Sequence, residues 1–340
     1  MGAEVSGPVA HTSGVVAVVG AGMAGLACAA ALRQAGMAVR VFEKSRGAGG
    51  RMSTRRGDGW ACDSGAQYFT ARHPDFVAEL ARWQAAGVAG EWRPSLRALA
   101  GASLREPDPA VRRFVGIPGM SAPGRFMARD LAPATQVTIR ALERVDGGWR
   151  LACVEAGPIE GTFAAVVLAI PAPQAAALLR EPAPALAGLA AGVPMRGCWA
   201  LMARYDAALA MPFDAAFVNE GPLSWVARDS AKPGRGGPET WLLHASASWS
   251  ESHLEDDAES VAAAMLDAFG RIGGAMPRAW TAHRWRYALA DPPLETGCAW
   301  DAALGVGLCG DWLNGGRVEG AWLSGRALAA RVVGARVPAP

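Results

Sequence analysis

The chain has 340 residues, 51% of them hydrophobic and 19% charged, with a formal net charge of +2 at pH 7. That length and apolar content suit two domains with a sizeable core and exclude a disordered chain. The balanced charge, with arginines scattered along the sequence, leaves no broad basic field for nucleic acid or anionic lipid, and no apolar run approaches the ~18 residues of a membrane span.

The first fourteen residues carry neither a basic nor an apolar leader segment and read as a disordered tail, not a signal peptide. Residues 15–19 form a short β-branched run that predicts a strand, and it ends in Gly20-Ala21-Gly22-Met23-Ala24-Gly25. A helix follows to about Gln34, where Gly36 stops it. Residues 38–42 then predict a second strand leading into Glu43. Two apolar strands joined by a crossover helix imply a parallel sheet covered on both faces.

A glycine-rich loop occupies residues 47–50, and residues 62–69 read as strand and turn. Residues 71–114 turn helical and then irregular. Residues 137–154 predict a hairpin about Gly147-Gly148. A buried strand is expected at 166–170, another at 241–244, an amphipathic helix at 254–269, a strand at 305–309 and a final helix at 320–333. Nucleotide-fold elements therefore stand at both ends and in the middle. Residues 1–70, 115–172 and 285–340 are assigned to the nucleotide fold, and 71–114 with 173–284 to an inserted mixed α+β second domain. The six cysteines (28, 62, 153, 198, 298 and 309) form no Cys-x-x-Cys pair and no metal-ligand spacing with histidine. They read as buried free thiols, which places the protein in the reducing cytoplasm.

The fingerprint glycines each have a physical task. Gly20 permits a tight strand-to-helix turn, Gly22 lets backbone approach a diphosphate, and Gly25 lets the helix lie close on the strand. Free N–H groups and the positive end of the helix dipole then face the phosphates. Glu43 stands eighteen residues after Gly25, at the end of the next strand, where a carboxylate accepts both hydroxyls of an adenosine ribose and repels a 2′-phosphate. Gly305-Val306-Gly307-Leu308-Cys309-Gly310 repeats the pattern, but its glycines fall inside a strand and no acid follows at the required distance. It reads as a glycine-bearing strand.

Glu43, then Gly49-Gly50-Arg51, then Thr54 resembles the second half of the FAD-binding pattern of flavin amine oxidases and their relatives. Cys309-Gly310-Asp311-Trp312 followed by Val318-Glu319-Gly320-Ala321 resembles the Gly-Asp strand end and last helix of the same superfamily. A narrower resemblance, to the bacterial branch of the renalase family, rests on three segments. They are Gly50-Arg51-Met52-Ser53-Thr54-Arg55-Arg56, Asp63-Ser64-Gly65-Ala66-Gln67-Tyr68-Phe69 and Trp285-Arg286-Tyr287. It covers most of the chain, firm at the ends and loose in the middle.

This likeness implies an α/β fold in which a Rossmann-type FAD-binding domain carries a substrate domain of the p-hydroxybenzoate-hydroxylase kind. It implies noncovalent FAD and oxidation of reduced nicotinamide dinucleotides, above all misreduced isomers, with O2 converted to hydrogen peroxide. FAD would meet Gly20, Gly22, Met23, Ala24, Gly25, Glu43, Lys44, Gly50, Arg51, Met52, Gly65, Ala66, Gln67, Val137, Asp311, Val318, Glu319, Gly320 and Ala321. The last helix would aim its N-terminus at the flavin N1–C2=O edge. His244, Arg286, Tyr287 and Asn314 are the candidates for the substrate pocket. Hydride transfer to flavin N5 needs no protein nucleophile, which fits the absence of a Ser-His-Asp or paired-carboxylate pattern. The rivals are a flavin amine oxidase or desaturase and a flavin-holding sensor without turnover. Amine oxidases of the superfamily often flank the flavin with two aromatics and a lysine, and after Lys44 the sequence has only Lys232.

Overall fold

A computed structural model describes residues 14–100, 103–105, 108, 110–218 and 221–335. The tail expected at the N-terminus lies, apart from Gly14, outside the described residues. Six strands form the first sheet, in the order Ala299–Asp301, Val306–Leu308, Ala165–Leu168, Val16–Val19, Val39–Glu43, Ala134–Thr135. All neighbours run parallel except the edge strand Ala299–Asp301. The central strands Val16–Val19 and Ala165–Leu168 are buried along their whole length, as a sheet covered on both faces demands.

On one face the helix Met23–Gln34 packs against the last helix, Val318–Gly334. Their approach is so close that a Cβ on Gly325 would sit 2.1 Å from Ala24 O. The other face is covered by the hairpin Ile139–Val145 and Gly148–Cys153 and by the short helices Ala172–Leu179 and Pro184–Ala191, around fully buried Trp149 and Trp312. Of the second glycine pattern, Val306–Leu308 is a strand, and only Gly307 of its glycines lies inside it. A Cβ on Gly307 would meet Leu328 at 2.7 Å and Ala299 O at 2.8 Å, so glycine there serves packing.

A seven-stranded sheet runs Ala279–Ala290, Met195–Tyr205, Glu239–Ala245, Leu223–Arg228, Ala215–Val218, Leu96–Ala100, Ser103–Arg105. Strand alternation gives it two different faces. Trp199, Leu201, Ala203, Trp241 and Leu243 pack against Val261, Met265 and Phe269 of the helix Ala258–Arg271. The opposite face presents Ala200, Met202 and Leu242 to Cys62 of the hairpin Thr54–Gly57 and Trp60–Asp63.

Several boundaries differ from the sequence reading. The amphipathic helix starts at Ala258 because the Asp257 side chain caps it, accepting from Ser260 N. Residues 71–114 hold the helix Pro74–Ala85 and further strands, and Ala122–Leu131 is an unforeseen helix. The division expected at residue 285 falls inside the strand Ala279–Ala290, which stays paired to Met195–Tyr205 as far as Ala290.

Candidate functional site

The fingerprint loop distinguishes its glycines physically. Gly20 has φ of +102°, and a Cβ there would lie 2.5 Å from Ala169 O; one on Gly25 would lie 1.9 Å from Gly20 O. Both are required by the fold itself. Gly22 is different: its backbone is extended (φ −76°, ψ −179°), and the nearest atom to an added Cβ is Gly50 Cα at 4.0 Å. The space in front of Gly22 is therefore open on the protein side. Met23–Gln34 has no side-chain cap and no acidic residue in its first turn, so its leading N–H groups remain for an anion.

Glu43 is 6% exposed, and its two carboxylate oxygens accept from Ala21 N and Ser45 N, each at 2.8 Å. This double anchor fixes the carboxylate beside the fingerprint with lone pairs left over. Val137 N donates to Glu43 O at 3.0 Å, which brings the predicted adenine-side residue to the same end of the cradle. Lys44 is exposed. Met23 and Met52 send their side chains into the core, so only their backbones face the loop.

Arg51 makes a two-pronged ion pair with Asp311, one prong at 2.9 Å, and donates to Ala288 O at 3.1 Å. The pairing joins the second loop to the C-terminal Gly-Asp turn with the fixed geometry a guanidinium allows.

Residues 63–67 form a turn held from several sides. Ala66 N donates to Arg51 O at 2.9 Å, and a Cβ on Gly65 would lie 2.0 Å from the same oxygen. Ser64 O accepts from Trp285 Nε1 at 2.8 Å and meets His244 Nε2 at 3.2 Å. A carbonyl only accepts, so His244 must carry its proton on Nε2. Burial pushes the imidazole pKa down to about 4, against the opposing effect of that bond, so His244 is neutral at neutral pH. His244 was expected to touch substrate; here its Nε2 supports the backbone of the turn at residues 63–67. Register sets it beside Trp225 on one side and Ala200, then His283, on the other.

Arg286 is a correction. It projects to the surface and pairs with Glu255, which Arg284 also engages. Trp285, its neighbour in the quoted motif, is the residue that reaches the turn. Strand alternation separates the two, and a motif string does not show which residue faces inward. Tyr287 is partly buried where the pairing register of this strand shifts.

At the C-terminal side, Asn314 Nδ2 donates to Gly320 O at 3.2 Å, and a Cβ on Gly320 would lie 1.8 Å from Asn314 O. An open depression outside the start of Val318–Gly334 is lined by residues that include Arg72, Glu295, Asn314, Arg317 and Gly320. Glu319, expected at the cofactor, instead accepts from Arg72 N (2.7 Å) and His73 N (2.6 Å), closing the backbone before helix Pro74–Ala85. Val318 is partly buried and Ala321 buried in that first turn.

Sequence reasoning missed the charged group behind the turn. Asp63 accepts from Thr54 Oγ1, Met120 N, Lys232 Nζ and Arg235 Nη2. Burial alone would raise its pKa, but Lys232 and Arg235 outweigh burial and hold it at about 2. The only available signals were its place in the Asp-Ser-Gly-Ala-Gln string and the scarcity of lysine. Among the described residues no three His, Cys, Asp or Glu side chains converge as a metal site.

The cradle fits a dinucleotide. It combines an open Gly22, uncapped helix N–H groups, a pinned carboxylate and an arginine opposite. Residues 18–82 match the model of an NAD(P)-binding Rossmann-like domain, and residues 83–333 match that of flavin containing amine oxidoreductases. Similar solved structures include a cofactor-binding redesign of putrescine oxidase (15% identity, TM-score 0.73, 94% of this chain and 99% of that one). A putative protoporphyrinogen oxidase from Exiguobacterium sp. 255-15 and the cyclohexylamine oxidase of Brevibacterium oxydans IH-35A each share 14% identity at TM-score 0.73, over 95% of this chain and 99% of theirs. At such identities the likeness is one of fold.

Proposed function

The chain belongs to the flavin containing amine oxidoreductase family, and from that premise we propose that it oxidises reduced nicotinamide dinucleotides, above all misreduced isomers, using noncovalent FAD and O2. Its standing as an FAD-dependent oxidoreductase follows from the family. When bound, FAD supplies a hydride acceptor at N5 and passes the electrons to oxygen, giving hydrogen peroxide. The protein's own part is placement. Gly22 and the helix N-terminus receive the diphosphate, Glu43 takes the ribose hydroxyls, and Arg51 stands within reach of phosphate. The turn at 63–67 and the start of Val318–Gly334 hold the ring system, with the seven-stranded sheet as the substrate unit in the p-hydroxybenzoate-hydroxylase manner.

The observation that carries the substrate reading is the character of the sheet beside Ser64. Trp225, neutral His244 and Trp285 share one face of it and carry flat, uncharged rings, Trp225 buried and the other two partly buried. Of the chain's two lysines, Lys44 is exposed at the adenosine end, and Lys232 is fully buried behind the turn, with its Nζ bound by Asp63, Asp229 and the Gln67 amide. Trp312, which follows Asp311 in the chain, is fully buried and donates to Ile170 O. The two-aromatics-and-lysine arrangement of amine oxidases is therefore not what these residues build. A planar dihydronicotinamide suits this wall better than an ammonium ion does. The six buried free thiols support a cytoplasmic setting; among the described residues no helix is long and apolar enough to cross a membrane.

The second reading, a small amine, is favoured by the names of the structural neighbours, oxidases of putrescine and cyclohexylamine. Anaerobic titration of the purified yellow protein decides between the two. Reduced dinucleotide isomers should bleach the flavin and, on admission of air, release peroxide. Bleaching by amines alone would refute the proposal.

A further inference from the structure

We propose that Lys232 is a positioning residue for the flavin-side turn at residues 63–67, acting through the Gln67 amide. Lys232 Nζ is fully buried and donates to Gln67 Oε1 and to Asp63 Oδ2, both at 3.1 Å, with Asp229 Oδ1 at 2.8 Å. The Gln67 amide in turn donates from Nε2 to Asp63 O at 2.7 Å and Gly65 O at 3.0 Å. An amide has two orientations, and only one offers N–H to those carbonyls. Lys232 has donors and no acceptor, so it binds Oε1 and forbids the flip. In the flipped state Gln67 Oε1 would face two carbonyl oxygens and its NH2 group would face the ammonium.

The lysine therefore fixes the amide, and the amide fixes the backbone at Gly65. That backbone lies close against the second loop: a Cβ on Gly65 would stand 2.0 Å from Arg51 O, and Ala66 N donates to the same oxygen at 2.9 Å. The Lys232 segment follows the strand Leu223–Arg228, so this contact ties the turn to the substrate sheet.

Charge balance also ties these residues together. Asp63, Asp229, Lys232 and Arg235 form a buried group of two negative and two positive charges. Removing any one charge strands another, which destabilises a protein whatever the site does. The test must separate charge balance from amide orientation.

Three variants do so: Lys232→Met, the charge-balanced pair Lys232→Met with Asp229→Asn, and Gln67→Met, which leaves all four charges in place. Thermal midpoint, FAD dissociation constant and the visible flavin spectrum are measured for each. Lys232→Met should lower the midpoint and weaken FAD binding at least tenfold. The pair should recover the midpoint but keep the weakened binding and an altered spectrum. Gln67→Met should reproduce the binding loss on its own. Recovery of FAD affinity by the pair, or wild-type affinity in Gln67→Met, would overturn the proposal and leave Lys232 a charge neutraliser. The inference rests on FAD meeting residues 65–67. FAD titration reads that contact without any choice of substrate, so its failure is distinct from failure of the dinucleotide reading.

Discussion

Replacing Gly22 with alanine separates cofactor binding from folding. Its backbone is extended, a conformation alanine adopts freely, and the added Cβ would meet nothing closer than Gly50 Cα at 4.0 Å. The apo protein should therefore fold normally and gain about 0.4–1 kcal/mol from the reduced freedom of its unfolded chain. The methyl group would stand where a diphosphate approaches the backbone. Displacing one charge-assisted hydrogen bond costs about 1.5–3 kcal/mol. At 1.4 kcal/mol per decade, FAD should bind roughly 10- to 150-fold more weakly. Quenching of flavin fluorescence on titration into apo protein measures the affinity, and calorimetry of the apo protein measures the stability. FAD affinity within threefold of wild type would refute the assignment of this opening to the diphosphate. A collapsed apo protein would show that Gly22, too, serves the fold.

Gly25→Ala and Gly325→Ala should behave in the opposite way, because their methyl groups would lie 1.9 Å from Gly20 O and 2.1 Å from Ala24 O. Both should lower the apo melting temperature sharply, by several degrees or more in a thermal scan, before any question of FAD arises. Arg51→Lys keeps the charge but loses the two-pronged grip on Asp311, so FAD affinity should fall about tenfold in the same fluorescence titration. His244→Ala should slow flavin reduction in a rapid-mixing experiment, while His244→Gln, which can still donate to Ser64 O, should retain more of the rate.

The same histidine predicts a pH effect on stability. Its folded pKa of about 4 lies below the ordinary 6.5, so the unfolded chain binds the extra proton first as pH falls. Stability is whole above about 6.5 and is lost progressively toward 4, a limb that His244→Gln should flatten in melting curves. Asp63, held at about 2 against 3.8, adds a further loss between those values.

The paired contacts at Ser64 O and the four donors on Asp63 have a common consequence. The turn at 63–67 is fixed from the seven-stranded sheet by Trp285 and His244, from the segment after the strand Leu223–Arg228 by Lys232, and from the glycine-rich second loop by Arg51 O. On the proposed placement of FAD, groups that do not touch the cofactor would thus bear on its binding. The distinction matters for assays: substitutions at His244 or Lys232 should change FAD affinity or spectrum as well as turnover, whereas a residue that only contacts substrate should not.

The nucleotide half was legible in the sequence because its constraints are local. A buried strand, a glycine turn, a helix and an acid at the next strand end lie within 28 residues, from Val16 to Glu43, and spacing alone brings them together. The hairpin at Gly147-Gly148 and the glycine-bearing strand at Gly307 were legible for the same reason. What spacing could not supply was the direction of a side chain or a partner more than a hundred residues away. Arg286 and Trp285 are adjacent in the sequence, and only strand pairing turns one to Glu255 and the other to Ser64 O. Lys232 meets Asp63 across 169 residues. No periodicity records such a contact, because burying a charge demands a partner without specifying where in the chain it stands. Short-range backbone geometry was thus fixed by residue type, and the long-range matching of buried polar groups only by the packed tertiary structure.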